Sequence, residues 1–101
     1  MSNFSKLSKS QTGTGTSDPI LFKAPKDDFV MLINALVTGT VTYDIEYTID
    51  DVDLVDCQYV TLGDVDRTLS SDDSMYFPVR AIRVNVTAGT GTVKLIAQYK
   101  D

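Results

Sequence analysis

The sequence has no histidine and no tryptophan, and it has a single cysteine, Cys57. Without histidine, the Ser-His-Asp and Cys-His nucleophile systems and the common histidine-containing zinc sites are excluded. One cysteine cannot form an internal disulfide, so stability must come from a packed core, in which we expect Cys57 to be a small apolar residue. We therefore predict a protein that is not an enzyme and that holds no cofactor or metal.

The chain also lacks a long apolar run. The longest, Phe29 to Val37, is interrupted by Asn34 and has about half of the roughly 20 residues that a transmembrane helix needs. The first ten residues, MSNFSKLSKS, have lysines but no apolar stretch behind them, so they do not resemble a secretory signal. We expect no membrane partner.

Positive charge is scarce, with 9 basic against 14 acidic residues and a net charge of −5. Binding to phosphate backbones depends on clustered Lys and Arg, so nucleic acid is not an expected partner. The charge is uneven, because Met1 to Ser17 contains two lysines and no acid and the rest of the chain carries −7.

This N-terminal segment is rich in serine and contains the run TGTGT, a composition that cannot bury enough surface to offset backbone entropy. We predict a flexible arm over residues 1–17 and a folded domain over residues 18–101. Two apolar residues of the arm are spaced i and i+3 and could share one side of a helical turn that orders on a partner. A disordered terminus without a role is the alternative. The predicted partner-binding residues of the arm are Phe4, Lys6, Leu7 and Lys9.

Beyond Pro19 the apolar residues alternate with polar ones, which is typical of strands with one buried face. TVTYDIEYTI is the clearest strand, and AIRVNVT and TVKLIAQY follow the same pattern, the latter with an outward Ile96. The glycines of the AGTG segment between these two predict a hairpin loop. The inward residues of the clearest strand are expected to be Val41, Tyr43, Ile45, Tyr47 and Ile49.

Further segments predict weaker elements. FVMLINALV is expected to be a strand buried on both faces, ILFKA and CQYVTL to be short strands, and SSDDSMY to hold a one-turn helix. Several short strands without a capped amphipathic helix indicate an all-β fold, a single antiparallel β-sandwich or jelly-roll-like domain.

Acidic residues crowd the segment from Asp50 to Asp73, which contains eight aspartates and one base, Arg67. The EF-hand spacing does not fit, so a solvated acidic loop is the favoured interpretation and an irregular Ca²⁺ site the alternative. Asp44 and Glu46 lie two apart on one strand and are interpreted as solubilising charges rather than as paired catalytic carboxylates.

A second predicted contact surface lies near the end of the acidic segment, because arginine and aromatic residues are favoured at protein interfaces. The alternative is that its arginines pair with the acidic loops. The residues of this surface are Tyr76, Phe77, Arg80 and Arg83.

Two segments, TVTYDIEYTIDD and FPVRAIRVNVTAGTGTVKLIAQ, resemble a group of small tailed-bacteriophage structural proteins with the pattern TYxxxYTxDD … FPVxAIRxNVTAGTG. The resemblance covers Thr40 to Asp51 and Phe77 to Gln98, whereas Val52 to Tyr76 departs from the pattern. It implies a virion protein made in the host cytoplasm.

The role that the resemblance implies is capsid decoration, in which the protein binds the major capsid protein on the outer capsid surface and stabilises the shell. Local threefold sites on capsids suggest a homotrimer. The alternative is a receptor- or glycan-binding module associated with a head or tail fibre, in which the acidic segment would hold the ligand.

Overall fold

The computed structural model describes residues 4–22, 30–50, 52–53, 56–76 and 79–100, with Phe4 and Lys100 described by their backbone alone. In this part of the chain all regular elements are strands that form two antiparallel sheets, so the predicted all-β sandwich is confirmed. The strands are β1 Phe4–Thr12, β2 Gly15–Thr16, β3 Ile20–Leu21, β4 Met31–Thr38, β5 Val41–Thr48, β6 Val60–Thr61, β7 Ser71–Met75, β8 Ala81–Gly89 and β9 Thr92–Lys100.

The two sheets are built from different strands. Sheet A has the order β1-β9-β4-β7, and sheet B has the order β2-β8-β5-β6, with β3 also paired to β8. The core lies between them, because alternate residues of the long strands point inward. Burying each large apolar side chain contributes about 1.5 to 3 kcal/mol. The central core residues are Met31, Ile33, Ala35, Val41, Tyr43, Ile45, Ile82, Val84, Val86, Val93, Leu95 and Ala97.

The predicted hairpin between the last two strands is wrong. β8 pairs with β5 in sheet B, whereas β9 pairs with β1 and β4 in sheet A, so the AGTG segment carries the chain from one sheet to the other. The turn between β4 and β5 crosses in the same way and touches it, since the Gly91 N–H donates to the Thr40 carbonyl at 3.0 Å. A Cβ on Gly89 would lie 2.3 Å from that carbonyl oxygen. Glycine is therefore needed for the close approach of two turns, not for a hairpin loop.

The segment expected to be a flexible arm is, over its described residues, part of both sheets. β1 pairs with β9 along its whole length, and β2 then joins β8 in sheet B. Ser17 ends the segment in a buried position, where its N–H donates to the Val84 carbonyl at 2.9 Å and its hydroxyl accepts from the Val84 N–H at 3.1 Å. A polar strand can occupy a sheet edge because its backbone is paired while its side chains stay in water, and composition does not reveal this.

Several local expectations also change. Leu32 and Leu36 on β4 are each 47% exposed, so this strand is not buried on both faces as predicted. Ile49 lies beyond the end of β5 and is 67% exposed, so it is not a core residue. The expected helical turn in SSDDSMY is instead strand β7, Ser71–Met75.

The two short strands are shorter than predicted. ILFKA contributes β3, Ile20–Leu21, and its residues Lys23 and Ala24 lie outside the described part of the chain. CQYVTL contributes β6, Val60–Thr61. Cys57 is half-buried, with its Sγ 3.5 Å from the Thr48 hydroxyl oxygen.

Candidate interaction surfaces

The residues predicted for the arm lie on β1, at one edge of sheet A, and strand alternation divides them between its faces. Lys6 is exposed on the outer face, the face turned away from sheet B. Leu7 and Lys9 lie opposite core residues of β9 and so point to the inner side, where Leu7 is still 39% exposed. Phe4 begins the strand, and its side chain is outside the description. An extended strand therefore replaces the helical turn that the i, i+3 spacing predicted.

The residues predicted for the second surface are distributed over both sheets. Tyr76 follows β7 in sheet A and is 70% exposed. Arg80 is exposed and precedes β8, where its N–H donates to the Thr48 carbonyl at 2.8 Å. Arg83 lies on β8 in sheet B, and Phe77 is outside the described residues. Tyr76 and Arg83 are therefore on different sheets.

A polar cluster surrounds Arg83 on the outer face of sheet B. Its Nε donates to Glu46 Oε1 at 2.7 Å, and the Asn85 amide donates to Glu46 Oε2 at 3.3 Å. The guanidinium carbon lies 3.7 Å from the centroid of the Tyr59 ring, which is a cation–π contact. Arg83 and Glu46 face each other across β8 and β5, so the cluster joins these strands and the segment that carries Tyr59.

The Tyr59 phenol is affected by this environment. Burial of the ring raises the pKa of Tyr59 above its ordinary value of 10.0, the positive charge of Arg83 opposes the rise, and Cys57 and Glu46 add to it. The phenol is therefore neutral at pH 7, and the charges of Arg83 and Glu46 cancel. Since these groups satisfy one another, the cluster is suited to holding strands together rather than to general acid or base chemistry.

Arg67 joins the two sheets on the side of β5 and β7. It exchanges backbone hydrogen bonds with Tyr43 of sheet B at 2.8 and 2.9 Å. Its guanidinium reaches Asp73 Oδ2 in sheet A at 2.6 Å, the Ser71 hydroxyl at 3.0 Å and the Leu62 carbonyl at 2.7 Å. The side chain is only 9% exposed, so this one base of the acidic segment is a structural tie.

The acidic segment makes further hydrogen bonds at Asp50 and Asp66. Asp50 Oδ2 accepts from the Gln58 N–H at 2.9 Å, and the backbone N–H of Asp66 donates to Asp44 Oδ1 of β5 at 2.7 Å. Asp51 lies outside the described residues. Among those that are described, no group of three or more acidic or cysteine side chains is placed to hold a metal ion. The described residues give calcium binding no structural support, and it stays the alternative to the favoured solvated acidic loop.

Exposed apolar side chains lie on the outer face of sheet A. Leu32 and Leu36 flank Asn34 on β4, and Asn34 lies opposite Ile96 of β9. Ile96 points outward as predicted, yet it is only 7% exposed. We call Leu32, Leu36 and Ile96 the outer apolar patch. Beside it runs a shallow groove lined by Leu32, Asn34, Asp72 and Ser74.

Sequence reasoning missed this patch because it interpreted a nine-residue apolar run as a strand buried on both faces. One signal was present. Asn34 marks the face that also carries Leu32 and Leu36, since residues two apart in a strand point the same way. The pattern alone could not show that Leu32 and Leu36 stay about half exposed on this face.

Comparison with known proteins finds distant likenesses to solved structures. No protein-family model matches the sequence, and no curated protein matches it either. A solved chain from Bacillus endospore appendages, described as a novel family of disulfide-linked pili, is 17% identical, with 96% of this chain and 86% of that chain covered and a TM-score of 0.49. The Yersinia pseudotuberculosis-derived mitogen is 15% identical, with 99% and 86% covered and a TM-score of 0.41. At these identities and TM-scores, neither likeness carries an argument about fold or function.

The described residues contain no helix with the length and apolar character needed to cross a membrane.

Proposed function

We propose that this chain is a structural protein of a tailed-bacteriophage virion, of the capsid-decoration type, and that it attaches to the outer shell through the outer face of sheet A. The outer apolar patch is the proposed attachment surface. A sheet face with half-exposed leucines favours contact with another protein, because covering them removes apolar area from water. The sequence resemblance at Thr40 to Asp51 and Phe77 to Gln98 supports the virion class.

The energetics fit a contact repeated many times. Leu32 and Leu36 are each 47% exposed, so covering the exposed part of each would contribute about 1 kcal/mol. Lys6 and Lys94 are exposed on the same face and would meet acidic groups of the major capsid protein. A modest single contact suffices when copies that are linked into a homo-oligomer, such as a trimer, bind one shell together.

The first test is the number of copies of this chain per purified particle, measured by quantitative mass spectrometry against the major capsid subunit. Hundreds of copies are expected of a protein that decorates the lattice. On the order of a dozen or fewer would instead place it at the neck, tail or fibres, as the glycan-binding alternative requires. Complete absence from particles would refute the virion proposal.

The second test locates the attachment surface by binding of the purified chain to undecorated shells. Leu32→Ser with Leu36→Ser should weaken binding about tenfold or more, because two apolar contacts are lost. The matched control is Leu21→Ser with Val60→Ser, two changes at similar exposure, 52% and 54%, on sheet B. Equal binding by both variants would refute attachment through this face.

A further inference from the structure

Sheet A ends in two edge strands of opposite charge. β1 carries Lys6 and Lys9 and no acid, whereas β7 carries Asp72 and Asp73 and no base, although Asp73 is ion-paired with Arg67 of the preceding loop. In the described part of the chain, neither strand is paired on its outer side. An unpaired strand presents a row of N–H and C=O groups that can bind another strand.

The outward backbone groups of β1 can be assigned from one hydrogen bond. The Gly13 N–H donates to the Gly91 carbonyl at 3.0 Å, in the same register that pairs β1 with β9. Residues directly opposite alternate between hydrogen-bonded and non-hydrogen-bonded pairs, so the odd residues of β1 bond to β9. The even residues therefore direct their N–H and C=O groups to the free edge, and these include Lys6, Ser8 and Ser10.

The same alternation crosses the sheet to β7. The even residues of β9 bond to even residues of β4, so the odd residues of β4 face β7. One further hydrogen bond supports this assignment. The N–H of Val37, an odd residue of β4, donates to the hydroxyl of Ser70, the residue just before β7, at 2.9 Å. On β7 the register then leaves Asp72 and Ser74 with outward backbone groups.

We propose that sheet A continues from copy to copy of this chain, with β1 of one copy adding to β7 of the next. Adjacent strands of sheet A are antiparallel and there are four of them, so β1 and β7 run in opposite directions. A second copy in the same orientation thus presents its β1 antiparallel to β7. Such a head-to-tail contact does not close on itself after two copies, and it generates a ring or an open strip.

One register satisfies the hydrogen bonds and the side chains together. It places Ser8 opposite Ser74, two positions whose backbone groups both point outward. On the inner side it sets Leu7 opposite Met75 and Lys9 opposite Asp73. Leu7 is 39% exposed in the single chain and would be partly covered by the added strand, whereas Met75 is already buried at 1%.

Charge favours this pairing over a symmetric one. Two β1 strands would bring lysines together, and two β7 strands would bring aspartates together, and like charges on neighbouring strands are unfavourable. Lysine on an edge strand commonly prevents association, but here the opposite edge is acidic. The contact uses the edges of sheet A and does not depend on attachment of the outer apolar patch to a shell.

The first experiment measures self-association by sedimentation velocity over a range of concentrations, and sodium chloride should weaken it because the charges are exposed. Lys6→Glu with Ser8→Glu should weaken association about tenfold or more, and so should Asp72→Lys with Ser74→Lys, because each pair places like charges on neighbouring strands. A chain with all four changes again has complementary edges and should recover association. Lys94→Glu is the control, since this exposed residue lies on β9, inside the sheet.

The second experiment fixes the partner strands by crosslinking. In a Cys57→Ser background, Ser8→Cys and Ser74→Cys together should give a ladder of disulfide-linked multimers on oxidation, because Cα atoms of a hydrogen-bonded pair are close enough for a disulfide. Either cysteine alone should give no more dimer than the background. Circular dichroism of each variant confirms that it is folded.

Three results would overturn the proposal. The wild-type chain could remain a monomer at every concentration. The chain with four changes could fail to associate although it is folded. Ser8→Cys alone could crosslink as well as the double variant, which would show that two β1 strands pair with each other.

Discussion

Replacing Gly89 with alanine tests the contact between the two turns that join the sheets. Gly89 has a φ of 98°, and a Cβ there would lie 2.3 Å from the Thr40 carbonyl oxygen and 2.8 Å from the Val41 Cα. Both atoms belong to backbone, so relief requires the turns to move apart by roughly 1 Å. We expect about 1 kcal/mol for the positive φ and a further 1 to 3 kcal/mol for the overlap.

Gly13→Ala is the matched control. Gly13 also has a positive φ, 71°, but its Cβ would meet no atom within 4 Å, so this variant should lose only about 1 kcal/mol. The assay is urea unfolding followed by circular dichroism. The slope m, the dependence of the free energy of unfolding on urea concentration, should be the same for the variants and the wild type if all unfold in the same two-state transition. Equal losses for the two variants, within about 0.5 kcal/mol, would refute the argument that close approach of the turns requires Gly89.

Two further predictions concern the polar groups that hold the sheets. Arg67→Ala should lower the free energy of unfolding by about 2 to 4 kcal/mol, because it leaves Asp73 and the Leu62 carbonyl without their partner. The exposed Arg80→Ala should change it by less than about 0.5 kcal/mol, and a similar loss in both variants would contradict the structural role of Arg67. The raised pKa of Tyr59 means that the folded chain keeps this proton at a pH where the unfolded chain has lost it. Stability should therefore fall as pH rises from 10.0 toward the folded pKa, and urea midpoints should show a shallower fall for Tyr59→Phe than for the wild type.

The sequence predicted strands well where one face is buried. Alternation in TVTYDIEYTI and TVKLIAQY identified β5 and β9 and the inward positions that the structure buries, such as Tyr43 and Leu95. Alternation is a local property of a strand with one wet face, so it survives without any knowledge of the partner strand. It failed at Ile49, because the strand ends at Thr48 and the pattern does not mark that end.

The candidate surfaces were predicted less well. The polar segment around Lys6 and Lys9 gave no alternation, because an edge strand needs no apolar side chain to be paired. The cluster of Arg83 with Glu46 and Tyr59 joins residues from three separate segments. The pairing of Arg67 with Asp73 depends likewise on the path of the loop that precedes β7.

The sequence by itself determined that this is a β protein without histidine chemistry or an internal disulfide, and which side chains of its longest strands point inward. Only the tertiary structure decided which strands are neighbours, that the AGTG turn crosses between sheets, and that the serine-rich N-terminal segment forms an edge. The reason is that side-chain alternation and turn composition act over a few residues. Strand pairing, in contrast, is selected by the packing of residues distant in sequence, such as Leu7 opposite Ala97.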